Sequence, residues 1–235
     1  MKKIFANLGI TLAAMLLAFA CGEGVVRLVF KSDTVLFARY QTDYAYGKYK
    51  IRGIRPNMAF WHTSVDGSWK FETNSRGFRN TREFTYAKPT STLRVLSLGD
   101  SNTQGHEVRQ EATFSAVIER ALARPGRPAE AINTGVSGFG TAEELVLLEN
   151  EAVKYRPDVV VLGFFANDFD DNLKSGLWGL DSAGRLIEQN SQHLPGVGIQ
   201  NFIYAIPGVR WLGDNSYFYS MLFNYAWIAA KIQLG

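Results

Sequence analysis

Three short runs, LRVLSL (93–98), AEAINTG (129–135) and RPDVVVLGFF (156–165), alternate with two stretches of helical spacing. No other feature of the chain limits its fold as tightly. LRVLSL, ending at Gly99, suits a buried parallel strand, and the unbroken apolar run of RPDVVVLGFF implies burial on both faces. EATFSAVIERALA (111–123) places Phe114, Val117, Ile118, Ala121 and Leu122 on one helical face, and Gly126 and Pro128 stop it. TAEELVLLENEAVKY (141–155) is a second helix, with Thr141 as its N-cap and Glu143 and Glu144 near its positive end. The β–α–β–α–β order predicts an α/β fold, a three-layer α/β/α sandwich around a parallel sheet.

The 235 residues suffice for one such domain, assigned to 91–235, plus a smaller appendage. A formal net charge of +3, with no Lys- or Arg-rich run, excludes nucleic acid as an expected partner. The single cysteine, Cys21, excludes an internal disulfide framework and a thiolate metal site.

Lys2 and Lys3 precede the apolar stretch 4–20, which meets no charge until Glu23. A basic start followed by such a stretch is an export signal or a membrane anchor. Ala18-Phe19-Ala20 fits ordinary signal cleavage, and Cys21 fits a lipoprotein acceptor, although Ala18 stands where Leu is expected. An uncleaved single-pass helix over 1–30 is favoured, because apolar character resumes in VVRLVF (25–30). In each case the lysines stay inside and the remainder is exported.

Residues 31–90 show no long helical period and are expected to form a small, irregular, partly β appendage. Within it KFETNSRGFRN (70–80) reads as a strand followed by a Gly turn. Residues 169–200 are polar and Gly-rich, with the character of an insertion or long loop. Residues 201–227 hold nine aromatics, which suit core packing or a helix pair, or else a lipid-facing or acyl-binding surface.

Ligands of open parallel sheets bind at the carboxyl ends of the strands. Three polar clusters fall there: Gly99-Asp100-Ser101, Asn133 to Gly140, and Asn167-Asp168. A lone GDS is weak, because Ser or Asp before a helix is ordinarily a cap. The three together resemble the SGNH, or GDSL-type, hydrolase superfamily. LGDSNTQG (98–105) matches its nucleophile block, NTGVSGFGT (133–141) its second block and FFANDFDDN (164–172) its Asn-Asp block. NSRGFRN (74–80) is similar to a lead-in of membrane-anchored members. The G-x-S-x-G elbow of α/β-hydrolases is absent.

The resemblance implies a flavodoxin-like sheet of five strands ordered 2-1-3-4-5 and acyl transfer without a cofactor or metal. Ser101 would be the nucleophile. Its own N–H, the N–H of Gly138 and the amide of Asn167 would form the oxyanion hole. Asp100 and Asp168 would give structural support. Phe165 departs from the pattern, standing where the third block usually has Gly.

The base is missing from this picture. The family draws it from a C-terminal Asp-x-x-His, and no such spacing occurs in the chain. His62 reads as a surface residue of the appendage, and His193 lies in an Asn-x-x-His within a polar loop. His106, five residues past Ser101, would be turned away by about 140° on a helix. The general base is left unassigned, and the chain is expected to stop before the last strands and the Asp-x-x-His block. The favoured reading is a membrane-anchored serine esterase acting on an acetyl or short-chain acyl ester, on carbohydrate or lipid. The alternatives are an O-acetyltransferase acting on envelope or secreted polysaccharide, and a glycan-binding or scaffold relative that lost its base.

Overall fold

The computed structural model describes residues 2–34, 36, 40–64 and 67–234. Helix α1 (Lys2–Val29) opens the chain, followed by strands β1 (Gln41–Tyr46), β2 (Tyr49–Ile54), β3 (Ala59–Ser64) and β4 (Gly67–Glu72). Next come β5 (Leu93–Gly99), α2 (Ser101–Gln104), α3 (Phe114–Leu122), β6 (Ala129–Asn133), α4 (Thr141–Asn150) and β7 (Val159–Gly163). Helix α5 (Asp168–Ser175), short strands β8 (Trp178–Leu180), β9 (Leu186–Glu188) and β10 (Gln192–His193), and helices α6 (Val197–Ala205), α7 (Val209–Asn215) and α8 (Tyr217–Leu234) complete it. The chain divides into two units, one of Met1–Arg39, Trp61–Ser68 and Tyr204–Gly235, the other of Tyr40–Phe60 and Trp69–Ile203.

In the larger unit β5 lies between β6 and β7, parallel to both. Counted in chain order this mixed α/β arrangement begins 2-1-3, which suits the SGNH fold. Val95, Leu96 and Leu98 of β5 and Ala131 and Ile132 of β6 are buried, as central parallel strands require. Strand β7 departs from the sequence expectation of two buried faces. Val159, Val160 and Leu162 are 45%, 43% and 52% exposed. An apolar run makes a strand, but burial needs neighbours, and among the described residues β7 pairs only with β5.

The two expected helices are shorter than their patterns. α3 starts at Phe114, with Thr113 Oγ1 accepting from Ala116 N, and Val117 of its expected apolar face is exposed. α4 ends at Asn150, and a 3-10 turn over Ala152–Tyr155 replaces its last turn. Buried Arg94 donates to the Tyr155 carbonyl at the end of that turn through Nη1 at 2.6 Å. Thr141 is not the N-cap of α4 but its first residue, and Gly140 occupies the cap. Glu143 supplies what glycine lacks, its carboxylate accepting from Gly140 N at 2.9 Å.

The stretch expected to be a long loop, 169–200, is structured. Asp168, Asp170 and Asp171 crowd the first turn of α5, where the helix dipole favours them. Asp181 Oδ1 accepts from Ala183 N and Arg185 N, closing the β8–β9 hairpin. His193 sits not in a loop but on β10, paired parallel to β2.

In the smaller unit α1 is a long apolar helix of about 42 Å, more than the ~30 Å of a hydrocarbon core. Such a helix suits a signal sequence or an anchor and points to the secretory pathway. Glu23, near its end, caps α8 by accepting from Ser216 Oγ at 2.7 Å and from Phe218 N at 2.9 Å. Val26, Leu36 and Tyr217 form the apolar contact beneath. The aromatics of 201–227 thus divide: Tyr217 is buried, whereas Phe202, Trp211 and Tyr225 are exposed. On β3 exposure alternates, with Phe60 buried, Trp61 exposed and His62 fully buried. His62 is therefore not the surface residue expected, because the strand period turns it inward.

Candidate active site

The nucleophile block is built by a cap. β5 ends at Gly99, and Asp100, 1% exposed, takes the N-cap position of α2. Its Oδ1 accepts from Asn102 N at 2.8 Å and its Oδ2 from Asn102 Nδ2 at 3.3 Å. Ser101 is therefore not the cap but the first helical residue. That position leaves its backbone N–H without an intrahelical partner. Among the described residues Ser101 Oγ makes no hydrogen bond.

The second block is tied to the first by backbone and side chain. Thr134 N donates to Ser97 O and Val136 N to Gly99 O, each at 3.0 Å. Asn133, fully buried, donates through Nδ2 to Thr103 O at 2.9 Å and accepts from Gly135 N at 3.0 Å. The loop then reverses at Gly138 with φ +80°, a conformation that glycine adopts without a Cβ clash. The carbonyl of Gly138 accepts from Arg52 Nη2. Among the described residues its N–H, like that of Ser101, donates to no acceptor.

The third block follows β7, whose Gly163 is paired with Gly99. Asn167 caps α5 and donates through Nδ2 to Asp171 Oδ2 at 2.8 Å. Asp168 is fully buried, with Oδ2 accepting from Phe165 N at 2.9 Å. Burial raises its carboxyl above the ordinary range, and the nearby Asp100 adds to the effect. Phe165 is about half exposed.

Asn172 stitches two of the blocks together; the sequence offered it only as the end of the third block, and Glu144 only as a partner of the helix dipole. Asn172 accepts from Ala142 N at 2.8 Å through Oδ1 and donates to Thr141 Oγ1 at 2.7 Å through Nδ2, tying the third block to the second. Glu144 is 1% exposed, and among the described residues neither carboxylate oxygen has a hydrogen-bond partner. Burial, then Asp168 and Asp100, push its pKa up to about 8. Only the pairing of buried polar residue types with apolar helix positions could have marked it beforehand.

Among the described residues of the larger unit, neither His106 nor His193 hydrogen-bonds Ser101 Oγ. His106 is held by its backbone N–H on Ser101 O at 3.2 Å, while its ring Nδ1 lies 3.1 Å from the Tyr40 hydroxyl. Tyr40 also donates to Gln104 Oε1 at 3.2 Å. His193 Nδ1 lies 2.5 Å from Oε1 of the buried Glu143.

A parallel sheet with three bonded polar loops at the carboxyl ends of its strands places a ligand site where open α/β sheets carry one. The chain belongs to the GDSL-like lipase/acylhydrolase family, which matches residues 97–231. It is an ester hydrolase, and its substrate is an acyl ester. No curated protein matches the chain.

Proposed function

We propose that the protein is a serine esterase of the SGNH type, exported and anchored by α1, that cleaves an acetyl or short-chain acyl ester. Its catalytic unit is read as the three-layer α/β/α sandwich of that family. Ser101 Oγ attacks the ester carbonyl, the carbonyl oxygen becomes the oxyanion, and the alcohol departs carrying the serine hydroxyl proton to leave an acyl-Ser101. Water then attacks the same carbonyl, one of its protons returns to Ser101 Oγ, and the acid is released. The N–H groups of Ser101 and Gly138 and the amide of Asn167 stabilise the oxyanion in both steps. Asp171 takes one amide hydrogen of Asn167, which leaves the second for the substrate. Asp100 and Asp168 hold the first and third loops in shape.

The observation that carries this reading is the pair of uncommitted donors. Ser101 N–H and Gly138 N–H make no hydrogen bond among the described residues, on two loops joined by the Val136–Gly99 and Asn133–Thr103 bonds. The test is turnover of p-nitrophenyl acetate by the full chain and by Ser101→Ala. The expected loss is at least about 10³-fold. Equal rates would overturn the assignment.

A further inference from the structure

Two arginines far upstream of Ser101 reach the two loops on which this chemistry depends. Arg79 lies in NSRGFRN and is fully buried, its guanidinium 4.5 Å from the centre of the Phe71 ring. Nη1 donates to Gln104 O at 2.8 Å and to Gly105 O, and Nη2 donates to Val108 O at 2.5 Å. The first two of these carbonyls terminate α2, the four-residue helix that begins with Ser101, and the third lies in the turn that follows. So short a helix cannot sustain itself, and a cation at its negative end both neutralises and fixes it. Gly105 permits the approach: its φ is +70°, and a Cβ there would stand 3.1 Å from Arg79 Nη1.

Arg52 on β2 treats the second loop in the same way. Its Nη2 donates to Gly138 O, and a Cβ on Gly138 would collide with the guanidinium. The carboxylates of Glu143 and Asp171 favour its charge against the cost of burial. The rest of the NSRGFRN turn supports the arrangement. Asn74 Oδ1 accepts from Arg76 N and Phe78 N at 3.0 Å each, and Asn80 Oδ1 accepts from Asn133 N at 3.1 Å.

We infer that Arg79 and Arg52 are positioning residues for catalysis, Arg79 holding the Ser101 turn and Arg52 the Gly138 loop. The inference rests on the assignment of Ser101 and Gly138 made above. A lysine preserves charge but not the planar fork by which Arg79 bonds three carbonyls at once, nor the flat guanidinium that lies against Gly138 at Arg52.

The test is the rate of Ser101 labelling by a fluorophosphonate, measured against probe concentration on the full chain. Wild type, Arg79→Lys, Arg52→Lys and Ser101→Ala are compared, with thermal unfolding followed in parallel. Both lysine variants are expected to keep cooperative unfolding and a half-saturating probe concentration within about twofold, while the limiting rate falls about 10-fold or more. A purely structural role would move the unfolding temperature and the folded fraction but leave the limiting rate of that fraction intact. Wild-type limiting rates in both lysine variants, with Ser101→Ala unlabelled, would overturn the inference and leave the Ser101 assignment standing. Labelling of Ser101→Ala at the wild-type rate would remove the assignment and the inference with it. Should Arg79→Lys not fold, Arg52→Lys decides alone.

Discussion

Strands β5 and β7 carry nearly the same kind of sequence, LRVLSLG and VVVLG, yet they occupy opposite surroundings. Val95, Leu96 and Leu98 are at most 3% exposed, whereas Val159, Val160 and Leu162 are close to half exposed. The difference extends to the loops that follow. The Ser101 turn after β5 is fixed by Asp100, by the bonds to the second block and by Arg79. The Asn167 loop after β7 leads with Phe164, Phe165 and Phe169 exposed, and it is held by Asp168, Asp171 and Asn172. One side of the proposed oxyanion hole is therefore set in a packed core, and the other stands on an edge.

The sharpest way to break this comparison is to truncate both strands. Leu96→Ala is expected to cost about 2–5 kcal/mol of unfolding free energy, and Val160→Ala less than about 1 kcal/mol. Equal losses in denaturant titrations would mean that β7 is as buried as β5 in solution. Next in size, Asn167→Ala is expected to lower kcat about 10²–10³-fold, with the unfolding midpoint little changed. A fall in stability without a matching fall in kcat would make Asn167 a structural residue.

A pH-dependent effect is expected at Glu144 on α4. Its carboxyl is raised from 4.5 to about 8, so the folded state holds a proton that the unfolded chain releases. Stability from this group is complete below about pH 4.5 and is lost as the pH rises through about 8, at up to about 1.4 kcal/mol per pH unit. Glu144→Gln should flatten that slope in unfolding measured between pH 5 and 8. An unchanged slope would mean that Glu144 is ionised in the folded protein.

Much of the frame was legible in the residues. The strands at 93–99, 129–133 and 159–163, the helices after them and the three polar loops follow from apolar spacing and punctuation. The misreadings share one origin. Cap chemistry was assigned to Thr141, but Gly140 holds that position, because a single φ/ψ choice moves a cap by one residue. His62 was read by its polarity, although its strand neighbours decided its burial. NSRGFRN could be compared with a lead-in but not given a task, since its contacts lie 25 to 53 residues away.

Local periodicity and turn chemistry, which act over a few residues, determined from sequence alone that this chain forms a parallel α/β sheet with an apolar helix before it. They also determined where its polar loops fall. Tertiary structure decided which apolar strand is buried, which carboxylates are forced to keep their protons and which arginines reach the Ser101 and Gly138 loops. Those outcomes depend on desolvation and on hydrogen bonds between segments distant in the chain, and no window of sequence contains both partners.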